Sequence, residues 1–222
     1  MKKALILLSG GLDSTTCLAL AIEQGFKVTA VSFRYGQKHI RELEYAKKNA
    51  ENYNVEKHIF INLELDKIGG SSLTSSFNEP NETSIPNTYV PGRNTLFLSY
   101  AASIAETLNI ADIFIGVNAI DYSGYPDCRP EFIKAMEKTI NLGTKKGVLK
   151  EISFVIHTPL INLTKSEIIQ KGLERRVDYS QTTSCYFPID NLACGICDSC
   201  KLRKAGFEKL NKKDPIAYKN LL

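Results

Sequence analysis

The chain has 222 residues, room for one α/β domain with a substantial core and a small appendage, and its 43% apolar content is ordinary for a globular protein. Its 28 basic and 24 acidic residues leave a net charge of +4. That excess suits an anionic substrate and falls well short of a dense nucleic-acid-binding surface. MKKALILL imitates a leader peptide, but its apolar run stops at Ser9 with no small-residue cleavage site behind it. No apolar stretch reaches the roughly 18 residues of a membrane span. A cytoplasmic enzyme is expected, in which six cysteines favour metal or thiol chemistry over disulfides.

Residues 2–8 form a continuous apolar run, the pattern of a strand buried on both faces. A helix is predicted over 12–25, ending at Gly25, then a strand over 27–36, a helix over 38–53 and a strand over 56–63. Residues 65–91 are rich in Ser, Asn, Thr, Gly and Pro; such a long loop suggests a lid. Further on, the pattern gives a helix at 94–109, a strand at 111–118, a helix at about 129–142 and a strand near 152–157. Thr164 and Glu167 mark a capping box that starts a helix over 163–176. Strands alternating with helices predict a doubly wound parallel sheet, whose ligands bind beyond the carboxyl ends of the strands. The expected organisation is a nucleotide-binding domain over 1–180 and a cysteine-rich appendage over 181–222.

The first turn, Ser9-Gly10-Gly11-Leu12-Asp13-Ser14, joins a buried strand to a helix. Its glycines allow close backbone approach, and its amides, with the helix N-terminus, form a nest for an anion. Ser9 and Ser14 can add hydroxyl hydrogen bonds. Asp13 would repel a bare phosphate, so it either binds Mg²⁺ or orders the turn. SGGLDS resembles the PP-loop signature of the adenine nucleotide alpha hydrolase-like superfamily, the N-type ATP pyrophosphatases. The resemblance implies that ATP is cleaved to pyrophosphate while a substrate oxygen takes the AMP. Carried onto this sequence, it assigns Ser9, Asp13 and Ser14 to catalysis, and Leu8, Gly10, Gly11, Leu12, Thr15, Thr16, Cys17, Leu18 and Arg34 to the ATP site with them. It also explains the missing Walker lysine, because the γ-phosphoryl group is not what moves.

Cys185, Cys194, Cys197 and Cys200 have the spacing C-x8-C-x2-C-x2-C. Four thiolates so close in sequence can converge on one tetrahedral ion, with zinc the expected metal. An iron–sulfur cluster is the alternative, disfavoured because no proline follows Cys200 and the fourth ligand precedes the triplet. Cys17 reads as a helix core residue, Cys128 has no partner by spacing, and His39, His58 and His157 are scattered without an assigned role.

Three more stretches bear on the substrate. FRYGQKH (33–39) follows the second strand, and VPGRN puts Arg93 and Asn94 before a helix, where they either grip an anion or merely cap it. The stretch 118–133 combines Asp121, Asp127, Arg129 and Glu131 with Tyr122, Tyr125 and Phe132, a mixture suited to a flat polar heterocycle. Together with SGGLDSTT and the cysteine tail, these stretches resemble the 7-cyano-7-deazaguanine synthase family along nearly the whole chain. That resemblance implies an ATP-dependent ligase making a nitrile from 7-carboxy-7-deazaguanine and ammonia through adenylated carboxylate and amide intermediates. It further implies one structural Zn²⁺, Mg²⁺ with ATP, a homodimer, and no nucleic acid or membrane partner. Arg93, Asn94, Tyr122, Asp127, Arg129, Glu131 and Phe132 are the expected substrate contacts. A PP-loop tRNA-modifying enzyme, of the lysidine synthetase or thiolase type, is the alternative, without a dense basic segment to support it.

Overall fold

The structure, a computed structural model, describes residues 2–37, 41–74, 85–120 and 124–219. Five parallel strands are β1 (Lys3–Leu7), β2 (Lys27–Arg34), β3 (Lys57–Asn62), β4 (Asp112–Phe114) and β5 (Val155–His157), in the order β3-β2-β1-β4-β5. Among the described residues, seven α-helices accompany them: α1 (Leu12–Glu23), α2 (Arg41–Asn52), α3 (Arg93–Leu108), α4 (Pro130–Gly143), the single-turn α5 (Lys145–Val148), α6 (Lys165–Glu174) and α7 (Asp198–Lys209).

β1 shows why the sheet is buried on both sides. Leu5 and Leu7 point into a core built with Leu98 and Ala101 of α3 and Ile133 and Met136 of α4. The alternate residues Ala4 and Ile6 point into a second core with Leu18 of α1, Ile168 and Ile169 of α6 and Phe207 of α7. A strand side-chain period of two therefore feeds both layers, and β1 must be apolar throughout. Because β2 and β4 both pair with β1, the chain leaves β1 at the point where strand order reverses.

Two strands are shorter than the sequence pattern predicts. β4 ends at Phe114, and only the Ile115 amide continues the ladder, donating to the His157 carbonyl at 3.0 Å. Residues 115–118 then turn across the start of α1, where a Cβ on Gly116 would stand 3.1 Å from the Asp13 carbonyl. β5 likewise pairs over three residues. The capping box is present: the Thr164 hydroxyl accepts from the Glu167 amide, and the Glu167 carboxylate accepts from the Thr164 amide.

The predicted long loop is closed at its base. The Ser72 amide donates to the Asn87 carbonyl at 2.9 Å, and Leu65, Leu73, Thr88 and Val90 are buried. The middle of the expected lid, residues 75–84, lies outside the described residues, as do Lys38, His39, Asp121 and Tyr122. At the other end of the chain, α7 packs tightly on α6, with a Cβ on Gly206 only 2.8 Å from Ile169. The cysteine-rich segment thus rests on the same core as the sheet. Arg203, fully buried on α7, donates to both Asp214 oxygens (2.8 and 3.0 Å), to Thr182 Oγ1 (2.8 Å) and to the Tyr179 carbonyl (2.9 Å).

Candidate active site

The turn after β1 is held in shape by its own serines. Ser14 Oγ accepts from the Ser9 amide at 3.2 Å and lies 3.0 Å from Ser9 Oγ, which accepts from the Gly11 amide at 3.2 Å. Gly10 has φ +79°, and a Cβ there would stand 2.2 Å from the Glu42 carbonyl of α2. Only glycine fits this left-handed position pressed against a neighbouring helix. The Gly10 carbonyl accepts from the Thr183 amide at 3.1 Å, which ties the segment leading to the cysteines onto the turn.

A lysine faces this turn after all, supplied by another element. Lys165, the first residue of α6, is buried and donates to both Asp13 oxygens at 2.7 and 2.8 Å. Both Asp13 oxygens thus meet an ammonium, which ties the turn to the start of α6. Sequence carried one trace of Lys165: a cation at the first position of a capping-box helix opposes the helix dipole, so something else must favour it there.

A cleft of about 250 Å³ opens beside the turn, beyond the carboxyl ends of β1, β2 and β4. Leu8, Ser9, Gly11, Leu12, Asp13, Ser14 and Lys165 line its nucleotide side. Phe33, Tyr35, Leu73 and Phe97 make an aromatic and apolar wall opposite, with the Phe33 and Phe97 rings stacked at 4.1 Å. Arg93 and Asn94 stand at the start of α3, with Arg93 Nη1 3.4 Å from the Tyr35 hydroxyl. Glu42 and Gln37 complete the polar lining near Tyr35. Burial sets the electrostatics: it pushes Glu42 up to about 7, against the opposing effects of the Gln37 hydrogen bond and the Arg93 charge. Burial likewise raises Tyr35 and Cys128 to about 12, so both stay protonated at neutral pH.

The other expected residues fall elsewhere. Thr15, Thr16, Cys17 and Leu18 are buried in α1 behind the turn, and burial pushes the Cys17 thiol far up, making it a core residue. Arg34 is exposed at the end of β2. Asp127 caps a helix: its Oδ2 accepts from the Asn94 amide at 2.9 Å, and Asn94 Nδ2 donates to its carbonyl at 3.0 Å. Arg129 and Glu131 are exposed, and Phe132 packs on the core; none of the three lines the cleft. His157 bridges to Asp112 at 2.7 Å across β4 and β5, and His58 meets Ser32 at 2.7 Å, so both serve the sheet.

The four sulfurs of Cys185, Cys194, Cys197 and Cys200 lie within 4.8 Å of one another. Tetrahedral thiolate coordination at about 2.3 Å per bond needs sulfurs roughly 3.8 Å apart, so this set fits a single metal ion. Main-chain amides support it: Cys194 N donates to Cys185 Sγ at 3.2 Å and Cys197 N to Cys194 Sγ at 3.3 Å. Cys197 is held toward thiolate, chiefly by hydrogen bonds from Cys185 and Cys200. Cys185 also lines the cleft, so the metal-binding unit forms part of its rim.

A parallel sheet ordered 3-2-1-4-5 with a serine–glycine turn at its switch point defines a doubly wound α/β fold of the PP-loop type. At this level it resembles solved structures of low identity. These include an NMN synthetase from Francisella tularensis (20% identical, TM-score 0.55, 95% of this chain and 77% of that one) and a 4-thiouridine synthetase–RNA complex with bound ATP (18%, TM-score 0.52, 78% and 40%). Residues 3–211 match the family model described as "Queuosine biosynthesis protein QueC". Two proteins named 7-cyano-7-deazaguanine synthase match over 99% of both chains: one from Citrifermentans bemidjiense at 59% identity and one from Geobacter sp. strain M21 at 58%. The chain belongs to the QueC family.

Proposed function

We propose that this protein is an ATP-dependent ligase that converts 7-carboxy-7-deazaguanine and ammonia into 7-cyano-7-deazaguanine. One observation carries the reading: a single cleft joins the serine–glycine turn and Lys165 to an aromatic wall with Arg93 at its edge. The turn's amides and hydroxyls, with Lys165, grip the pyrophosphate as it leaves. The wall of Phe33, Tyr35 and Phe97 takes a flat ring, and Arg93 draws the substrate carboxylate toward the α-phosphorus.

The chemistry follows from the leaving group. A carboxylate oxygen cannot depart, so it attacks the α-phosphorus and expels pyrophosphate. Ammonia then displaces AMP to give the amide. Adenylation of the amide oxygen by a second ATP allows loss of AMP and protons, which leaves C≡N. Exclusion of water is needed throughout, because water would hydrolyse the adenylate; closure by the 65–91 segment would supply it. Mg²⁺ accompanying ATP would neutralise charge on the departing pyrophosphate. Zn²⁺ held by Cys185, Cys194, Cys197 and Cys200 would cross-link the segment 185–197 to the first turn of α7. Neither ion is a reactant. A cytoplasmic homodimer is the proposed setting, and among the described residues no helix is long and apolar enough to cross a membrane.

Incubation with 7-carboxy-7-deazaguanine, ATP, Mg²⁺ and ammonium, followed by mass spectrometry, tests the reading. Nitrile and AMP are expected; the absence of both would sink it.

A further inference from the structure

Ammonia addition leaves a positively charged nitrogen that must lose protons, and the cleft offers few groups to take them. Its described lining contains no histidine and only two carboxyl groups, Asp13 and Glu42. Both oxygens of Asp13 are occupied by Lys165. Burial keeps Tyr35 and Cys128 protonated, and the Tyr125 hydroxyl meets Thr88 Oγ1 at 2.6 Å. Glu42 is left.

Its geometry suits the task. Glu42 stands on the first turn of α2, against the Gly10 backbone, between the nucleotide turn and the aromatic wall. Gln37 Nε2 donates to Glu42 Oε1 at 2.8 Å. Gln37 is fixed in turn: its Oε1 accepts from the Tyr35 amide at 2.7 Å, and its Nε2 also donates to the Phe33 carbonyl at 3.2 Å. Among the described residues no donor meets Glu42 Oε2. Among the described residues, the ionisable groups facing it are Tyr35, just past the end of β2, and Arg93 on α3. One oxygen is thus clamped, the other takes no donor among the described residues, and the residue lines the cleft.

We infer that Glu42 is the general base that accepts the proton of the incoming nitrogen, an assignment that rests on the nitrile-forming reading above. The ammonia lone pair forms the C–N bond to the carbonyl carbon of the acyl adenylate, giving a tetrahedral adduct with N–H₃⁺ and O⁻. A proton passes from that nitrogen to Glu42 Oε2, the C=O bond re-forms, and the C–O bond to AMP breaks with its electron pair on the phosphate oxygen. Glu42 returns the proton to solvent, and the same oxygen serves the amidate stage, where N–H protons leave as AMP departs. A carboxyl group that titrates near 7 is matched to this role, since it is both available as a base and able to release its proton.

Glu42→Gln keeps the Oε1 acceptor for Gln37 and removes the base. Two rates separate base from binding: carboxylate-dependent ATP–pyrophosphate exchange without ammonia, and nitrile formation with it. The expected result is a fall in nitrile formation relative to exchange of about a hundredfold or more, the usual worth of a positioned base. The wild-type kcat/KM for free NH₃ should fall on the acid side of about pH 7, and the variant should lose that bend. Glu42→Asp should restore the bend at reduced rate. Equal losses in exchange and nitrile formation, or an unchanged bend in Glu42→Gln, would overturn the assignment. Wild-type protein that forms no nitrile at all overturns the underlying reading instead.

Discussion

Replacing Lys165 by Met tests how the nucleotide turn is held. Met retains most of the side-chain length and removes the charge that both Asp13 oxygens accept from. The Lys165 and Asp13 side chains are 7% and 19% exposed, so bulk water screens them weakly. At an effective dielectric near 20, unit charges roughly 3 Å apart attract by about 5–6 kcal/mol before desolvation. Most of that gain is offset by removing both ions from water. The variant instead suffers an unpaired buried carboxylate, which costs about 3–5 kcal/mol. Asp13 keeps some solvent, which places the loss near about 3 kcal/mol. For a chain of this size that corresponds to a fall in Tm of roughly 6–12 °C. Thermal unfolding of wild type, Lys165→Met, Asp13→Asn and the double variant closes a cycle. The double variant should regain most of the lost stability, since neither charge remains, yet ATP–pyrophosphate exchange should stay low in all three. Lys165→Met as stable as wild type, or a coupling energy below about 0.5 kcal/mol, would refute the reasoning.

Gly10→Ala combines a left-handed residue with a Cβ 2.2 Å from the Glu42 carbonyl, so it should lower the affinity for ATP at least tenfold by titration calorimetry and cost at least about 1–2 kcal/mol in urea unfolding. Cys194→Ser, or chelation, should lower metal content and Tm together, and through the Thr183–Gly10 bond and Arg203 it should weaken ATP binding; a variant with full metal content by elemental analysis and normal stability would contradict the structural role. Glu42 has its pKa raised on folding, from about 4.5 to about 7, so the stability tied to its protonated form is complete below 4.5 and lost as pH rises through 7. Glu42→Gln should therefore be more stable than wild type at pH 8 by about 1–3 kcal/mol, with the difference gone at pH 4.5, as read by urea midpoints at the two pH values.

Local signals made the frame legible. β1 is apolar on both faces because two helical layers cover it, and the double glycine behind it marks the switch point. The four cysteines converge because their spacing leaves short loops. Side chains that meet through tertiary packing were harder to see. Lys165 reaches Asp13 from 152 positions away, and Glu42 enters the cleft only because α2 packs against Gly10. The stretch 118–133 shows the converse at its C-terminal end. Its mixture of charges and rings reads as a heterocycle site, but Ile133, Met136 and Ile140 turn one face of α4 inward. Glu131 consequently faces solvent, while the Asp127 carboxylate caps α3. Helix phase decides which residues of the stretch reach the cleft.

The central claim is that one cleft adenylates the substrate twice, first on the carboxylate oxygen and then on the amide oxygen. Supplying ¹⁵N-ammonium with 7-carboxy-7-deazaguanine and ATP, and following nitrile and AMP together by mass spectrometry, tests it most directly. The account predicts ¹⁵N in the nitrile and two AMP released for each nitrile formed. One AMP per molecule with the amide as the final product, or no AMP at all, would contradict it.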